Sequence, residues 1–280
     1  MKVRRVVTGH TRDGKATVAS DTVVEAITLD LLPYEWDSVD IVLAENDRAR
    51  FTSVHDLARD VRLHGYYGGI RLIKATIKRF VEHCQARGRR LHDRNFSVRC
   101  QTNIPRQVGM AGSSAIIVAT LRCLMEFYEI EIPLEAQPTF VLQVEQGELG
   151  ISAGLQDRVI QVYEGVVYMD FDRSREHLVD GLPCYAYEPI DPLCLPPLYL
   201  AYHDALSEPT EVFHNNIRER FNRGDEAVVS AMRHFADLAA RGRETLGNGD
   251  RVRLASLMNE NFDTRRSIYT LPAWQIDMVE

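Results

Sequence analysis

The sequence lacks the features that would place the protein in a membrane or on nucleic acid. No apolar run reaches the roughly 18 residues that span a bilayer, and no apolar segment follows the charged N-terminus as in a signal peptide. Acidic residues outnumber basic ones by 40 to 33, giving a formal charge of −7. The basic excess that binds phosphate backbones is therefore missing. We expect a soluble, cytoplasmic protein that binds neither nucleic acid nor membrane; the composition does not indicate its oligomeric state.

Cysteine is also scarce, and its spacing forms no recognisable site. The sequence has an odd number of cysteines and no CxxC pair, and its nine histidines include no HExxH pattern. Such a pattern indicates reduced thiols rather than a disulfide framework or a zinc site. The five cysteines are Cys84, Cys100, Cys123, Cys184 and Cys194.

The order of the predicted elements indicates an α+β fold, because strands come first and helices cluster later. Short apolar runs predict strands at 4–8, 16–20, 23–29, 39–44, 96–104, 165–171 and 198–203. Apolar residues at helical spacing predict helices at about 69–87, 113–128, 136–149, 210–222, 225–246 and 250–266. The Pro-rich stretch 173–197 is predicted to be irregular. We predict two domains, 1–190 and 191–280.

The most informative segment is the glycine-containing turn before the predicted helix 113–128. Gly109 and Gly112 bracket the turn, and Ser113 and Ser114 begin the helix. Unpaired N–H groups at a helix N-terminus, together with the helix dipole, favour phosphate binding. The alternative is an ordinary turn with a serine N-cap. Neither GxxxxGK[ST] nor GxGxxG is present, so the P-loop and dinucleotide-binding patterns do not apply.

This segment resembles the second motif of the GHMP kinases, which phosphorylate small molecules with ATP. The similar segment is Pro105-x-x-x-Gly-Met-Ala-Gly-Ser-Ser-Ala115. Within the family, it is most similar to the glucuronokinases, which are sugar-1-kinases. The resemblance extends from about residue 50 to 280. It implies an α+β architecture with a ribosomal-protein-S5-like N-terminal domain and a ferredoxin-like C-terminal domain. The other similar stretches are 65–72, 91–97, 154–159, 165–171 and 258–266.

The resemblance assigns ATP and Mg²⁺ to specific residues. Ser113 or Ser114 would bind Mg²⁺, which Glu145 would share, since Glu145 lies at the family's spacing before Asp157; Glu148 is the second choice for this role. From the residues alone, Glu145 would instead lie on a solvated helix face. The residues implied to surround the ATP phosphates are Pro105, Gly109, Met110, Ala111, Gly112, Ser113, Ser114 and Ala115.

The resemblance also assigns residues to the acceptor. Asp157, in the pattern Gly154-x-x-Asp157, would act as the base or orient the sugar hydroxyl, although a helix N-cap is the alternative role. Arg106 and Arg158 are candidates to bind a phosphate or a sugar carboxylate, since a guanidinium pairs with both. Asp13 is the candidate sugar-binding residue of the first family motif, which matches poorly here. The opening residues also resemble the start of some small cupin-type proteins.

The implied reaction is phosphorylation of a sugar by ATP, at the anomeric hydroxyl of a uronic acid such as glucuronate. Its products would be the sugar 1-phosphate and ADP. The family's third, glycine-rich motif has no counterpart before Glu280, because the last glycines are Gly247 and Gly249. We therefore expect an incomplete C-terminal domain. The alternative function is that of a truncated, inactive kinase remnant that at most binds nucleotide or a partner chain.

Overall fold

The computed structural model describes most of the chain in two units. The described residues are 3–10, 16–24, 28–32, 38–44, 47–66, 70–101, 104, 109–200 and 217–280. One unit contains residues 24–106 and 110–187, and the other contains 3–23, 107–109 and 188–280. The predicted domains 1–190 and 191–280 stay a prediction.

A four-stranded mixed sheet forms one layer of the first unit. Its strands are β3 (Thr28–Leu32), β4 (Val39–Ala44), β5 (Asp47–Phe51) and β6 (Ser97–Gln101), in the order β3-β6-β4-β5. Strand β6 is antiparallel to β3 and parallel to β4, and β4 is antiparallel to β5. A two-stranded ribbon of β1 (Val3–His10) and β2 (Ala16–Val24) belongs, except for its last residue, to the second unit.

Three helices complete the core of the first unit: α1 (Val54–His64), α2 (Arg71–Ala86) and α3 (Gly112–Tyr128). Helix α2 lies between the other two and contacts both. The core is aromatic where α2 and α3 meet the sheet: Phe80 stacks on Tyr128, and Phe96 meets Phe127 edge to face. Helix α3 is anchored there because Ile117 and Leu121 are fully buried. This packing fixes the N-terminus of α3, where the glycine-containing turn lies.

The last part of the first unit holds the candidate carboxylates. Helix α4 (Gln137–Gln143) continues into a π-helical turn, Val144–Glu148, and α5 (Leu155–Tyr163) follows. Strand β7 (Val166–Asp170) pairs with β10 (Ala186–Ile190). Strands β8 (His177–Val179) and β9 (Leu182–Cys184) form a hairpin.

The second unit is mainly helical in its described part. Residues 217–222 (α6) are helical, followed by α7 (Glu226–Asn248), α8 (Arg251–Ile268) and α9 (Ala273–Val279). Asp225 caps α7 by accepting hydrogen bonds from two backbone N–H groups, and Asp250 caps α8 in the same way with one. Gly249 allows the left-handed turn between α7 and α8, with φ of 69°. Among the described residues, no helix combines the length and apolar character needed to cross a bilayer.

The α+β prediction is confirmed, and so are the helices near 69–87, 113–128, 225–246 and 250–266. The irregular prediction for 173–197 is wrong, because β8, β9 and β10 lie there. These strands are short and two of them contain proline, so they lack the alternation that a sequence pattern detects. The strand predicted at 198–203 is wrong for 198–200, which have no regular structure; 201–203 lie outside the described residues.

A buried histidine connects α2 to the β8–β9 hairpin, and we predict that it makes stability depend on pH. His83 Nε2 lies 2.9 Å from Asp180 Oδ2, and its ring packs edge to face on Phe140. Burial, with the positive charge of Arg87, lowers the pKa of His83 despite the opposing effect of Asp180. The unfolded chain therefore takes up a proton near pH 6.5 that folded His83 does not. Stability contributed by neutral His83 is present above that pH and declines below it.

We expect the free energy of unfolding to be lower at pH 5.5 than at pH 7.5 by at most about 1.4 kcal/mol, which corresponds to one pKa unit. Urea unfolding at both pH values should show that the free energy of unfolding declines less with falling pH in His83→Gln than in the parent. His177→Gln is the matched control, because a hydrogen bond with the Arg175 carbonyl and another with Glu135 raise the pKa of this exposed imidazole. An unchanged decline in His83→Gln would contradict the prediction.

Candidate active site

In the turn before α3, a residue other than glycine adopts the left-handed backbone conformation. Ala111 has φ of 50° and ψ of 31°, and Gly109 has φ of 76°. A left-handed alanine costs roughly 1–2 kcal/mol. Strained backbone of this kind is concentrated at functional sites. Ala111 also accepts the first helical hydrogen bond, from Ala115 N–H at 3.1 Å.

No side chain caps the N-terminus of α3, so the serine N-cap alternative is wrong. Gly112 begins the helix, and Ser113 lies in its first turn. The first N–H groups of an uncapped helix have no partner within the helix and carry the positive end of its dipole. Helix α3 has 17 residues, and this end of it suits an anionic ligand. The Ser113 hydroxyl instead donates to a carboxylate on another element.

That carboxylate is Glu145, which is completely buried. Ser113 Oγ donates to Glu145 Oε1 at 2.7 Å. Glu145 Oε2 accepts a hydrogen bond from Arg158 Nε, and Arg158 Nη2 makes an ion-pair contact with the same oxygen. The solvated-face alternative for Glu145 is therefore wrong. Glu145 lies four residues after the buried Val141, so it falls on the face of the helix that packs into the core. It is the second residue of a π-helical turn, and such turns are frequent at functional sites.

Asp157 and Arg158 extend this network along α5. Arg158 is 6% exposed and its Nη1 donates to the Gly154 carbonyl at 3.0 Å and to Asp157 Oδ2 at 3.3 Å. The side chain of Asp157 is 56% exposed, so its carboxylate is accessible to a ligand. The N-cap of α5 is Gly154, which rules out the cap role considered for Asp157. Ser113, Glu145, Arg158 and Asp157 thus form one connected chain of contacts.

Glu148, the second choice for the metal, belongs to a separate cluster. Its Oε2 accepts from the Tyr66 hydroxyl at 2.8 Å and from Lys78 Nζ at 2.6 Å. Burial and the carboxylate of Glu148 raise the pKa of Tyr66, so the phenol stays protonated. Sequence reasoning missed Tyr66 and Lys78, which lie 82 and 70 residues from Glu148 and share no motif with it. Their contacts fix the far end of the π-helical turn that carries Glu145.

The oxygen atoms near Ser113 fit a magnesium ion. Mg²⁺ takes one or two carboxylates together with substrate phosphates and waters. Glu145 provides a carboxylate and Ser113 a hydroxyl, and the buried Ser114 Oγ has no hydrogen-bond partner among the residues that the structure describes. In that same part of the chain, no group of three or more His, Cys, Asp or Glu could hold a metal alone. A metal here would therefore take its remaining ligands from water or from a phosphate substrate.

Several predicted residues cannot be placed in this network. Pro105, Arg106 and Asp13 lie outside the described residues. Gly109 is described, but it is assigned to the second unit, whereas Met110 to Ala115 belong to the first. The predicted functional roles of all the candidate site residues stay predictions. The structure shows that Ser113 contacts Glu145 directly and is connected to Asp157 through Arg158.

Comparison with known proteins confirms the resemblance predicted from the sequence. Residues 71–165 match the family model of the GHMP kinases N terminal domain. The chain is 45% identical over 240 residues to glucuronokinase 1 of Arabidopsis thaliana and 45% identical over 241 residues to probable glucuronokinase 2 of the same plant. Each alignment covers 84% of this chain. The chain spans less than two thirds of these relatives, 65% and 64% of their lengths.

Solved structures show the same fold at low identity. A Lin0012 protein from Listeria innocua aligns with a TM-score of 0.66 and 15% identity, covering 88% of this chain and 71% of that one. Lactococcus lactis galactokinase complexed with galactose aligns with a TM-score of 0.58 and 15% identity, covering 88% and 68%. The predicted GHMP kinase fold is confirmed. The finer assignment of ribosomal-protein-S5-like and ferredoxin-like domains stays a prediction.

Proposed function

We propose that this chain, which resembles the GHMP kinases in sequence and fold, is an ATP-dependent sugar kinase. The observation that carries the proposal is the contact network of Ser113, Glu145, Arg158 and Asp157 beside the uncapped N-terminus of α3. Phosphoryl transfer needs little covalent chemistry from the protein. It needs a phosphate-binding backbone, an anchor for Mg²⁺ and a carboxylate near the acceptor hydroxyl. The turn before α3 and this network contain a candidate for each of the three, which supports the proposal.

Each residue has a distinct role in the proposed reaction. The N–H groups from Met110 to Ser114 donate hydrogen bonds to the phosphates of ATP, and the dipole of α3 favours their negative charge. Glu145 and Ser113 would hold Mg²⁺, with Ser114 nearby, and a bound ion would supply charge neutralisation at the phosphates. Asp157 orients the acceptor hydroxyl and accepts its proton as the oxygen attacks the γ-phosphorus and ADP leaves.

We assign the acceptor from the plant relatives. Glucuronokinase 1, at 45% identity, indicates a uronic acid such as glucuronate, phosphorylated at its anomeric hydroxyl to the sugar 1-phosphate. Arg106 and Asp13 remain our candidates to bind the sugar and its carboxylate, because a guanidinium binds carboxylate groups through two hydrogen bonds. We place the reaction in the cytoplasm, where ATP is available.

ADP release by the purified chain tests the proposal. The assay contains ATP, Mg²⁺ and one sugar at a time from a panel of glucuronate, galacturonate, glucose and galactose. We expect ADP release that depends on a uronic acid, with phosphate on the anomeric oxygen as shown by ³¹P NMR. Stimulation by a neutral sugar alone would correct the substrate class. ATP binding without turnover on any sugar would contradict the proposed kinase activity and favour a nucleotide-binding remnant.

A further inference from the structure

The guanidinium of Arg158 is paired with Glu145, the carboxylate that the proposed function assigns to Mg²⁺. Glu145 is completely buried and Arg158 nearly so, and two nitrogens of Arg158 contact the same oxygen, Oε2, one by a hydrogen bond and one by an ion pair. A buried carboxylate without a counter-charge is strongly unfavourable, so a cation must accompany Glu145 in the folded protein. Without a metal, Arg158 is that cation.

The lone pairs of Glu145 show that two cations cannot share it freely. Arg158 Nε uses one lone pair of Oε2, Arg158 Nη2 lies in ion-pair contact with the same oxygen, and Ser113 uses one of the two lone pairs on Oε1. A metal at Oε2 requires the guanidinium to leave. A metal at Oε1 meets a carboxylate whose charge is already neutralised, with a second cation close by. In either position the metal and Arg158 compete for the same charge.

The structure also provides a place for the released guanidinium. Arg158 Nη1 already bonds the Gly154 carbonyl at 3.0 Å and lies 3.3 Å from Asp157 Oδ2. These contacts do not involve Glu145. They can therefore hold the guanidinium against α5 once it no longer contacts Glu145. Asp157 is more than half exposed, so its carboxylate has room for a closer partner.

We propose that Arg158 is an exchangeable counter-ion of Glu145: it neutralises the carboxylate in the metal-free protein and transfers to Asp157 when a divalent cation binds. This inference rests on the proposed function for the identity of the cation. It makes Arg158 a positioning residue, which couples occupation of the metal site to the charge around Asp157. It also explains how a completely buried acidic side chain stays compatible with folding before any ligand is present.

Thermal unfolding of the full chain during titration with Mg²⁺ alone, and separately with Mn²⁺ alone, tests the exchange. In Arg158→Gln the metal no longer competes with a guanidinium. We expect the metal-free melting temperature to fall by several degrees and the metal concentration for half-maximal stabilisation to drop roughly tenfold below that of the parent. Glu145→Gln in either background should abolish the metal response, which locates the response at this carboxylate.

Two further variants keep the test decisive. Arg122→Gln removes an exposed guanidinium that pairs with Glu164, and it should leave the metal response unchanged. Arg158→Lys keeps a cation but cannot place two nitrogens on one oxygen, so it should fold and show an intermediate response. If Arg158→Gln does not fold, the lysine variant decides. A metal response equal to the parent's, or weaker, in the folded Arg158 variant overturns the proposal.

The outcome is separable from that of the kinase assay. Metal stabilisation is measured without nucleotide or sugar, so it does not depend on turnover. A chain that responds to metal as expected but transfers no phosphoryl group would retain the exchange and lose the kinase function. A chain that phosphorylates a sugar but shows no enhanced metal response in the Arg158 variants would retain the kinase function and lose the exchange.

Discussion

Replacement of Glu145 by Gln is expected to lower the turnover number of the proposed kinase by at least about 100-fold, the usual cost of removing one preorganised charged partner of the transition state. Gln keeps the size of the side chain and an oxygen that can accept from Ser113 and Arg158. It removes the negative charge, and with it the proposed anchor for Mg²⁺. The ADP-release assay with saturating ATP and uronic acid measures the effect.

The same replacement is expected to destabilise the protein, because it leaves the nearly buried Arg158 without a counter-charge. Removing one partner of a buried ion pair costs about 3–5 kcal/mol. The assay must therefore be run well below the melting temperature, with circular dichroism confirming that the variant is folded. Glu126→Gln on the exposed face of α3 is the matched control and should change neither quantity. A folded Glu145→Gln protein that retains the parent's turnover would show that Glu145 is only structural.

The local elements that the sequence predicts well are those with strong periodicity. Helix α3 follows from a nearly continuous apolar run after Ser113, and α7 and α8 follow from apolar spacing with a glycine between them. The β8–β9 hairpin has a local turn signal in the sequence. Its turn is Asp180-Gly181, with φ of 50° and 70°, and an Asp-Gly pair between short apolar runs favours that hairpin turn. Pro183, which closely follows this turn, favours an irregular segment instead, and the two signals oppose each other.

The candidate site could be predicted only in part, because its essential contacts join distant positions. The motif with Ser113 and the spacing of Glu145 and Asp157 identified the residues through family resemblance. Glu145 stands at helical spacing after the buried Val141, but an acidic residue is not expected at a buried position unless a partner such as Arg158 is known. The pairing of Arg158 with Glu145 and that of Lys78 with Glu148 depend on tertiary packing.

Asp180 illustrates the same limit at a structural cluster. It binds His83, Arg87 and Arg89, all on or just after α2, although nothing near Asp180 in the sequence points to that helix. Partial burial raises the pKa of Asp180, but hydrogen bonds and the charge of Arg87, with the contacts of His83 and Arg89, lower it overall. The cluster therefore ties the hairpin to α2 at neutral pH. Sequence periodicity detects each element but not the charges that join them.

Replacement of Asp157 by Asn should separate catalysis from stability more cleanly than any other change at the site. Its carboxylate is 56% exposed and its hydrogen bond to Arg158 is a long one, 3.3 Å. Exposed ion pairs contribute about 0–1 kcal/mol, so the melting temperature should change little. A general base contributes about 10²- to 10⁴-fold to the rate, and Asn cannot accept the hydroxyl proton. We therefore expect turnover to fall within that range while ATP binding, measured by calorimetry, is retained.

Asp93→Asn is the control for this prediction, because Asp93 is an exposed aspartate of the same unit. It should leave turnover, ATP affinity and the melting temperature unchanged. The combination expected for Asp157→Asn is informative because the alternatives give other combinations. A residue that only supports α5 would lower stability and turnover together. A residue that only binds the sugar would raise the KM for the sugar and leave the turnover number unchanged at saturation. Either result would remove Asp157 from the role of base.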